Sequence, residues 1–155
     1  MNKLLKLIFL ALIVLNLFFA SWHVLHQDIK FSADIGRDFL LFKEIDQKGI
    51  ILIGPRSSAS GLFHGPLWVY VNYPAYFLGQ GNPVAVGWGW VFFIACFTAG
   101  GFFIAKKLFD ENAGYLFALM ISTYMVFHAD SLINPHGTLF MLPFFFFFFV
   151  RYFIS

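Results

Sequence analysis

Four long apolar runs punctuate the chain: Leu4 to Leu25, Pro83 to Ala105, Gly114 to Ala129 and Thr138 to Ile154. The first two match the roughly 20 residues with which a helix crosses ~30 Å of hydrocarbon, and the last two reach that length with a few flanking residues. The pattern predicts an all-α integral membrane fold with about four transmembrane helices. Between the first two runs, Arg37 to Lys48 places Phe39, Phe42 and Ile45 along one helical stripe, with Leu41 beside it and Lys43, Glu44, Gln47 and Lys48 largely opposite. This spacing predicts an amphipathic helix lying at the membrane surface. Gly49, Gly54-Pro55 and the cluster Ser57, Ser58, Ser60, Gly61 then mark a loop. The aromatic segment Pro66 to Leu78 follows, too short to span. Its Trp68, Tyr70, Tyr73 and Tyr76 suit an interfacial or re-entrant element with amphipathic rings at headgroup depth.

Composition agrees with a bilayer environment. The 155 residues are 60% hydrophobic, 22% aromatic and 12% charged, well beyond the balance of a water-soluble domain. If the four runs alternate in direction, Lys3, Lys6, Lys106, Lys107 and Arg151 fall on one side. The positive-inside rule makes that side the cytoplasm, with residues 26–82 as a long first outer loop, and the cell membrane is the expected location. The outer loop itself carries five acids and five bases and does not vote. The first run is read as an uncleaved anchor, because a signal h-region is shorter, about 7–15 residues. A net charge of +2, with its basic residues dispersed, excludes the clustered footprint of nucleic-acid binding. The single Cys96 provides neither a disulfide framework nor a thiolate metal cluster.

Polar residues at a membrane face are costly to keep and so carry the candidate chemistry. Asp34 in A-D-I-G-R-D sits just ahead of the amphipathic stripe. It reads either as a helix cap or, with Arg37 and Asp38 nearby, as a general base toward a hydroxyl or amine. His64 in F-H-G-P-L-W lies on a turn, either merely solvated or placed to donate to a phosphate oxygen. Arg56 adds a cation to the outer loop. His128, Asp130 and His136 flank Asn134-Pro135, but their spacing matches no standard zinc pattern. A divalent metal stays open as a cofactor without a convincing ligand set. No phosphate-binding glycine loop or G-x-S-x-G elbow occurs.

The order of these pieces is itself informative: one span, an outer acidic motif with an amphipathic helix, G-P-L-x-x-Y, G-N-P, a span ending in lysines, and a span leading to N-P. Over essentially the whole chain, this order resembles the N-terminal part of the GT-C glycosyltransferases that use polyprenyl-phosphate sugars. That class contains the protein O-mannosyltransferases and the lipid A aminoarabinose transferases. The resemblance implies that Asp34 matches the catalytic Asp of an outer-loop Asp-Glu pair, with Ile35 standing where the Glu belongs. It puts His64 where many members carry the lysine of K-P-P-L beside the lipid phosphate, and Asn134 where they carry the Asp of a later Asp-Pro.

Such a protein would transfer a sugar from a polyprenyl phosphate donor to an acceptor at the outer face. Arg37, Asp38, Arg56, His64 and Asn134 would bind substrate. Members of this class normally have more spans, so residues 1–155 would be a single membrane domain forming the N-terminal portion of a larger module. The alternative from a different class is a noncatalytic membrane subunit or small transport component, with further membrane subunits as partners. Gly100-Gly101 would then let helices of an oligomer approach closely.

Overall fold

The computed structural model describes residues 2–131 and 134–154, except the side chains of residues 131, 134–136, 138, 139 and 154. Its helices are α1 (Lys3–Ala20), α2 (Trp22–Leu25), α3 (Ala33–Lys48), α4 (Leu67–Leu78), α5 (Pro83–Leu108), α6 (Glu111–Val126) and α7 (Asn134–Ile154), with one 3-10 turn at Ala129–Ser131. Among the described residues, strand pairing is confined to one antiparallel bridge between Arg56 and Phe63. The chain forms two compact units: Met1–Asp28 with Trp90–Ser155, and Ile29–Gly89. The second unit holds most of the stretch expected as the outer loop.

Among the described residues two helices, α1 and α5, are long and apolar enough to cross a membrane. The four apolar runs raise a higher expectation. α6, with 16 residues, falls below the ~20 of a full span, and within the 21-residue α7 the described apolar stretch is Phe140–Phe153. Most apolar side chains of α1 are exposed, Leu7 at 61% and Val14 at 57%, as suits a helix in hydrocarbon and supports membrane association.

In the first unit, α1 and α6 run in the same direction. Lys6 pairs with Glu111 at their starts, and the Asn16 amide donates to Ser122 Oγ at 3.1 Å and Thr123 Oγ1 at 2.9 Å farther along. A polar side chain in the middle of an apolar helix is thus satisfied by its neighbour. α5 runs against α6, with Phe102 edge-on to Tyr115 at 5.0 Å, and alongside α7, with Phe97 edge-on to Phe140 at 5.2 Å and Lys107 5.3 Å from the Phe147 ring centre. Lys6, Lys106 and Lys107 therefore gather at one end of this unit, and Arg151 lies one turn beyond Phe147.

Gly100 and Gly101 serve this packing within the chain. A Cβ on Gly101 would stand 2.3 Å from Ile121 of α6, and one on Gly100 would stand 2.8 Å from Phe144 of α7. The close approach expected at an oligomer interface is instead made by helices of the same chain.

The second unit is built on α3 and α4. α3 starts four residues earlier than its apolar stripe suggests, because Ser32 caps it by accepting from the Ile35 amide at 3.3 Å. Ile35, Phe39, Phe42 and Ile45 are buried. Rather than lying against lipid, Phe39 and Phe42 pack on Tyr76 of α4, at 5.8 and 4.9 Å between ring centres. The Tyr70 hydroxyl closes the far side, donating to the Ile51 carbonyl and accepting from its amide, each at 2.8 Å.

Candidate functional site

Asp34 and Arg37 stand in the first turns of α3, on the unit Ile29–Gly89. Because Ser32 occupies the capping position, Asp34 is not needed as the cap. Its carboxylate instead sits in the first turn, where the helix dipole favours negative charge, and pairs with Arg37 Nη2. The other arm of the guanidinium, Nη1, donates to the Arg56 carbonyl at 3.0 Å. Arg37 Nε is buried with no hydrogen-bond partner among the described residues. Arg37 is therefore a fork, with one prong on the acid and one on the loop that carries the second arginine.

That loop is a short hairpin. The Gly54 amide donates to the His64 carbonyl at 3.0 Å, the His64 amide donates to the Pro55 carbonyl at 2.8 Å, and the Ser57 amide donates to the Leu62 carbonyl at 2.9 Å. Arg56 faces Phe63 across the bridge, one residue from His64. The side chains of Arg56 and His64 are both exposed. The structure thus links Asp34 to the Arg56 backbone through Arg37 and puts His64 on the same hairpin.

Asp38 is placed differently. It points inward, 7% exposed, and forms a hydrogen bond with the side chain of Trp68 at the start of α4. Burial pushes its carboxyl up to about 6, against the smaller opposing pulls of the Trp68 hydrogen bond and Arg37. The folded state therefore holds a proton on Asp38 that the unfolded chain releases near pH 4. Its contribution to stability is full below about pH 4, declines as the pH rises through about 6, and is flat above. Replacing Asp38 by Asn keeps a hydrogen-bonding group beside Trp68 and removes the titration. Relative to wild type, Asp38→Asn is expected to gain stability by up to about 1.4 kcal/mol per pH unit between about pH 4 and 6. Thermal unfolding of both proteins across pH 4–8 measures this; parallel curves would exclude a buried titrating Asp38.

Asn134 begins α7, and the side chains of Asn134, Pro135 and His136, on which the expected Asn-Pro contact and the His128, Asp130, His136 set depend, lie outside the described residues. The His128 ring stacks on Tyr124 at 4.1 Å, with Nδ1 2.9 Å from the Tyr124 carbonyl. Among the described residues no group of three or more His, Cys, Asp or Glu side chains is arranged to hold a metal ion.

Two partnerships escape a reading of the sequence. Trp68 meets Asp38, and Tyr73 donates to Asp46 at 2.6 Å across 27 residues. For Asp38 a signal exists, since Ile35, Asp38, Phe42 and Ile45 share the buried stripe at helical spacing. For Asp46 there is none, because nothing local names Tyr73 as its neighbour. No protein-family model, curated protein or solved structure matches the chain.

Proposed function

We propose that this chain is a membrane glycosyltransferase-like protein of the GT-C kind, transferring a sugar from a polyprenyl phosphate to an acceptor at the outer face of the cell membrane. In this reading α6 and α7 complete their crossings with flanking residues, giving four spans. The N-terminus is cytoplasmic and the unit Ile29–Gly89 lies outside. The alternating helix directions and the basic end of the first unit support that topology.

The observation that carries the chemistry is the Arg37 fork, which ties the Asp34 carboxylate to the hairpin bearing Arg56 and His64. Asp34 takes the proton from the acceptor hydroxyl or amine as that atom attacks the anomeric carbon. The bond from this carbon to the phosphate oxygen breaks, and polyprenyl phosphate leaves with the electron pair. Charge growing on the leaving phosphate calls for preorganised cations. The exposed Arg56 guanidinium supplies the charge and the His64 imidazole a hydrogen bond, while Arg37 is occupied in holding Asp34 and the hairpin.

The test is a transfer assay with the purified chain in nanodiscs and a radiolabelled polyprenyl phosphate sugar, following label out of the lipid fraction in the presence of a membrane extract as acceptor source. Transfer above the empty-nanodisc control is expected. A well-folded wild type that releases no label would overturn the reading in favour of a noncatalytic membrane subunit.

A further inference from the structure

Far from Asp34, the other end of α3 meets the end of α4 around a cavity of about 510 Å³ lined by Asp46, Tyr76, Phe77, Leu78, Gln80 and Gly81. Asp46 lies twelve residues beyond Asp34, ~18 Å along the helix, so this is a separate place on the unit. The cavity holds one carboxylate and two aromatic rings. Tyr73, 6.0 Å from both the Tyr76 and Phe77 rings, donates its hydroxyl to Asp46 Oδ1 at 2.6 Å and fixes the carboxylate at the mouth. That hydrogen bond also pushes the Tyr73 phenol up, so it stays a donor. Among the described residues no lysine or arginine lines the cavity to neutralise Asp46.

Beside the Tyr76 ring, within 3.7 Å of where a Cβ on Gly81 would stand, the cavity is lined by a specialised turn. Gln80 at φ +53° and Gly81 at φ +82° both adopt the left-handed conformation, which a non-glycine residue enters at a cost. Gly79 permits this tight reversal, since a Cβ there would stand 2.2 Å from Ala85. Asn82 then caps α5 by accepting from the Val84 amide at 2.9 Å, and Pro83 takes the first helical position. The cavity wall thus ends two residues before a helix long and apolar enough to cross a membrane. Phe77, Leu78 and Trp88 around this junction are exposed, at 62%, 81% and 45%. Exposed aromatic and aliphatic side chains at the mouth of a spanning helix belong at headgroup depth.

A carboxylate beside aromatic faces, without a protein cation, is the chemistry that binds an organic ammonium group. We propose that this cavity binds the ammonium headgroup of a membrane lipid such as phosphatidylethanolamine, with Asp46 as its counter-ion, Tyr76 and Phe77 as its aromatic wall, and the acyl chains in the surrounding bilayer. The inference rests on the membrane reading of α5 and is independent of sugar transfer.

Native mass spectrometry of the purified chain tests it, with equal amounts of phosphatidylethanolamine and phosphatidylglycerol added in detergent and no sugar donor. Wild type is expected to retain the ammonium lipid roughly fivefold or more over the other. Asp46→Asn, which keeps the Tyr73 hydrogen bond and removes the charge, is expected to bring the ratio close to one. Phe77→Leu, at an exposed position, is expected to lower it about twofold to threefold and carries the test if Asp46→Asn does not fold. Equal retention of the two lipids by wild type, or a preference that survives Asp46→Asn with native circular dichroism, would overturn the proposal. Complete displacement of the lipid by an equimolar amount of soluble phosphoethanolamine would overturn the lipid as occupant. A preserved preference supports the site whatever the transfer assay returns.

Discussion

Asp34→Asn is expected to slow sugar transfer by roughly 10²–10⁴-fold, the range a positioned general base contributes, while the protein still inserts and folds. The substitution isolates the chemistry because the amide has the size of the carboxylate, and its oxygen can still accept from Arg37 Nη2. The helix start does not depend on it, since Ser32 supplies the cap. What is lost structurally is an ion pair whose two side chains are 46% and 42% exposed, and a favourable charge at a helix N-terminus. Each of these is worth at most about 1 kcal/mol. A rate loss of the expected size corresponds to about 3–5 kcal/mol of activation free energy, more than that structural change can account for. The comparison needs the label-transfer rate of both proteins and their thermal midpoints in the same nanodiscs. Unchanged transfer by the variant would remove Asp34 as the base and leave its pairing with Arg37 as a fold contact.

How much of this arrangement the sequence discloses depends on how local the determining interactions are. G-N-P is legible as a helix start because the positive φ of Gly81, the Asn82 cap and Pro83 at the first position are properties of three adjacent residues. The α3 stripe is legible for the same reason, one helical period at a time, although its start shifts to Ala33 once Ser32 rather than Asp34 is taken as the cap. The length of α6 is only partly legible. Apolar side chains continue to Ala129, but the helix stops at Val126, and the His128 ring folds back to the Tyr124 carbonyl. Hydropathy counts side chains and is blind to where the backbone turns. What covers the α3 stripe is not legible at all: an amphipathic face fits lipid and fits Tyr76 equally well until α4 is placed beside it. The same holds for the Arg37 fork, whose second prong reaches a backbone carbonyl 19 residues away that no side-chain pattern marks.

Gly54→Ala is expected to open the hairpin that carries Arg56 and His64, and to reduce transfer with it, although residue 54 touches no substrate in the proposed mechanism. A Cβ there would stand 2.5 Å from the Gly65 carbonyl oxygen, 2.7 Å from the Gly65 carbonyl carbon and 2.7 Å from the His64 carbonyl oxygen. All three are backbone atoms, so no flexible side chain can swing aside and the two strands of the hairpin must separate. Separation breaks the Gly54 to His64 and His64 to Pro55 hydrogen bonds and lets Arg56 drift from Arg37. Overpacking of this kind typically costs about 1–3 kcal/mol. Amide hydrogen exchange at Gly54 and His64 is expected to quicken by roughly tenfold or more, as a loss of that size in local opening free energy requires. Gly65→Ala is the matched control, because a Cβ on Gly65 meets nothing within 4 Å. If Gly54→Ala quickens exchange and lowers transfer while Gly65→Ala does neither, the hairpin acts by placing Arg56 and His64. Should exchange quicken with transfer unchanged, Arg56 and His64 would be excluded as partners of the leaving phosphate, and the base function of Asp34 would have to work without them.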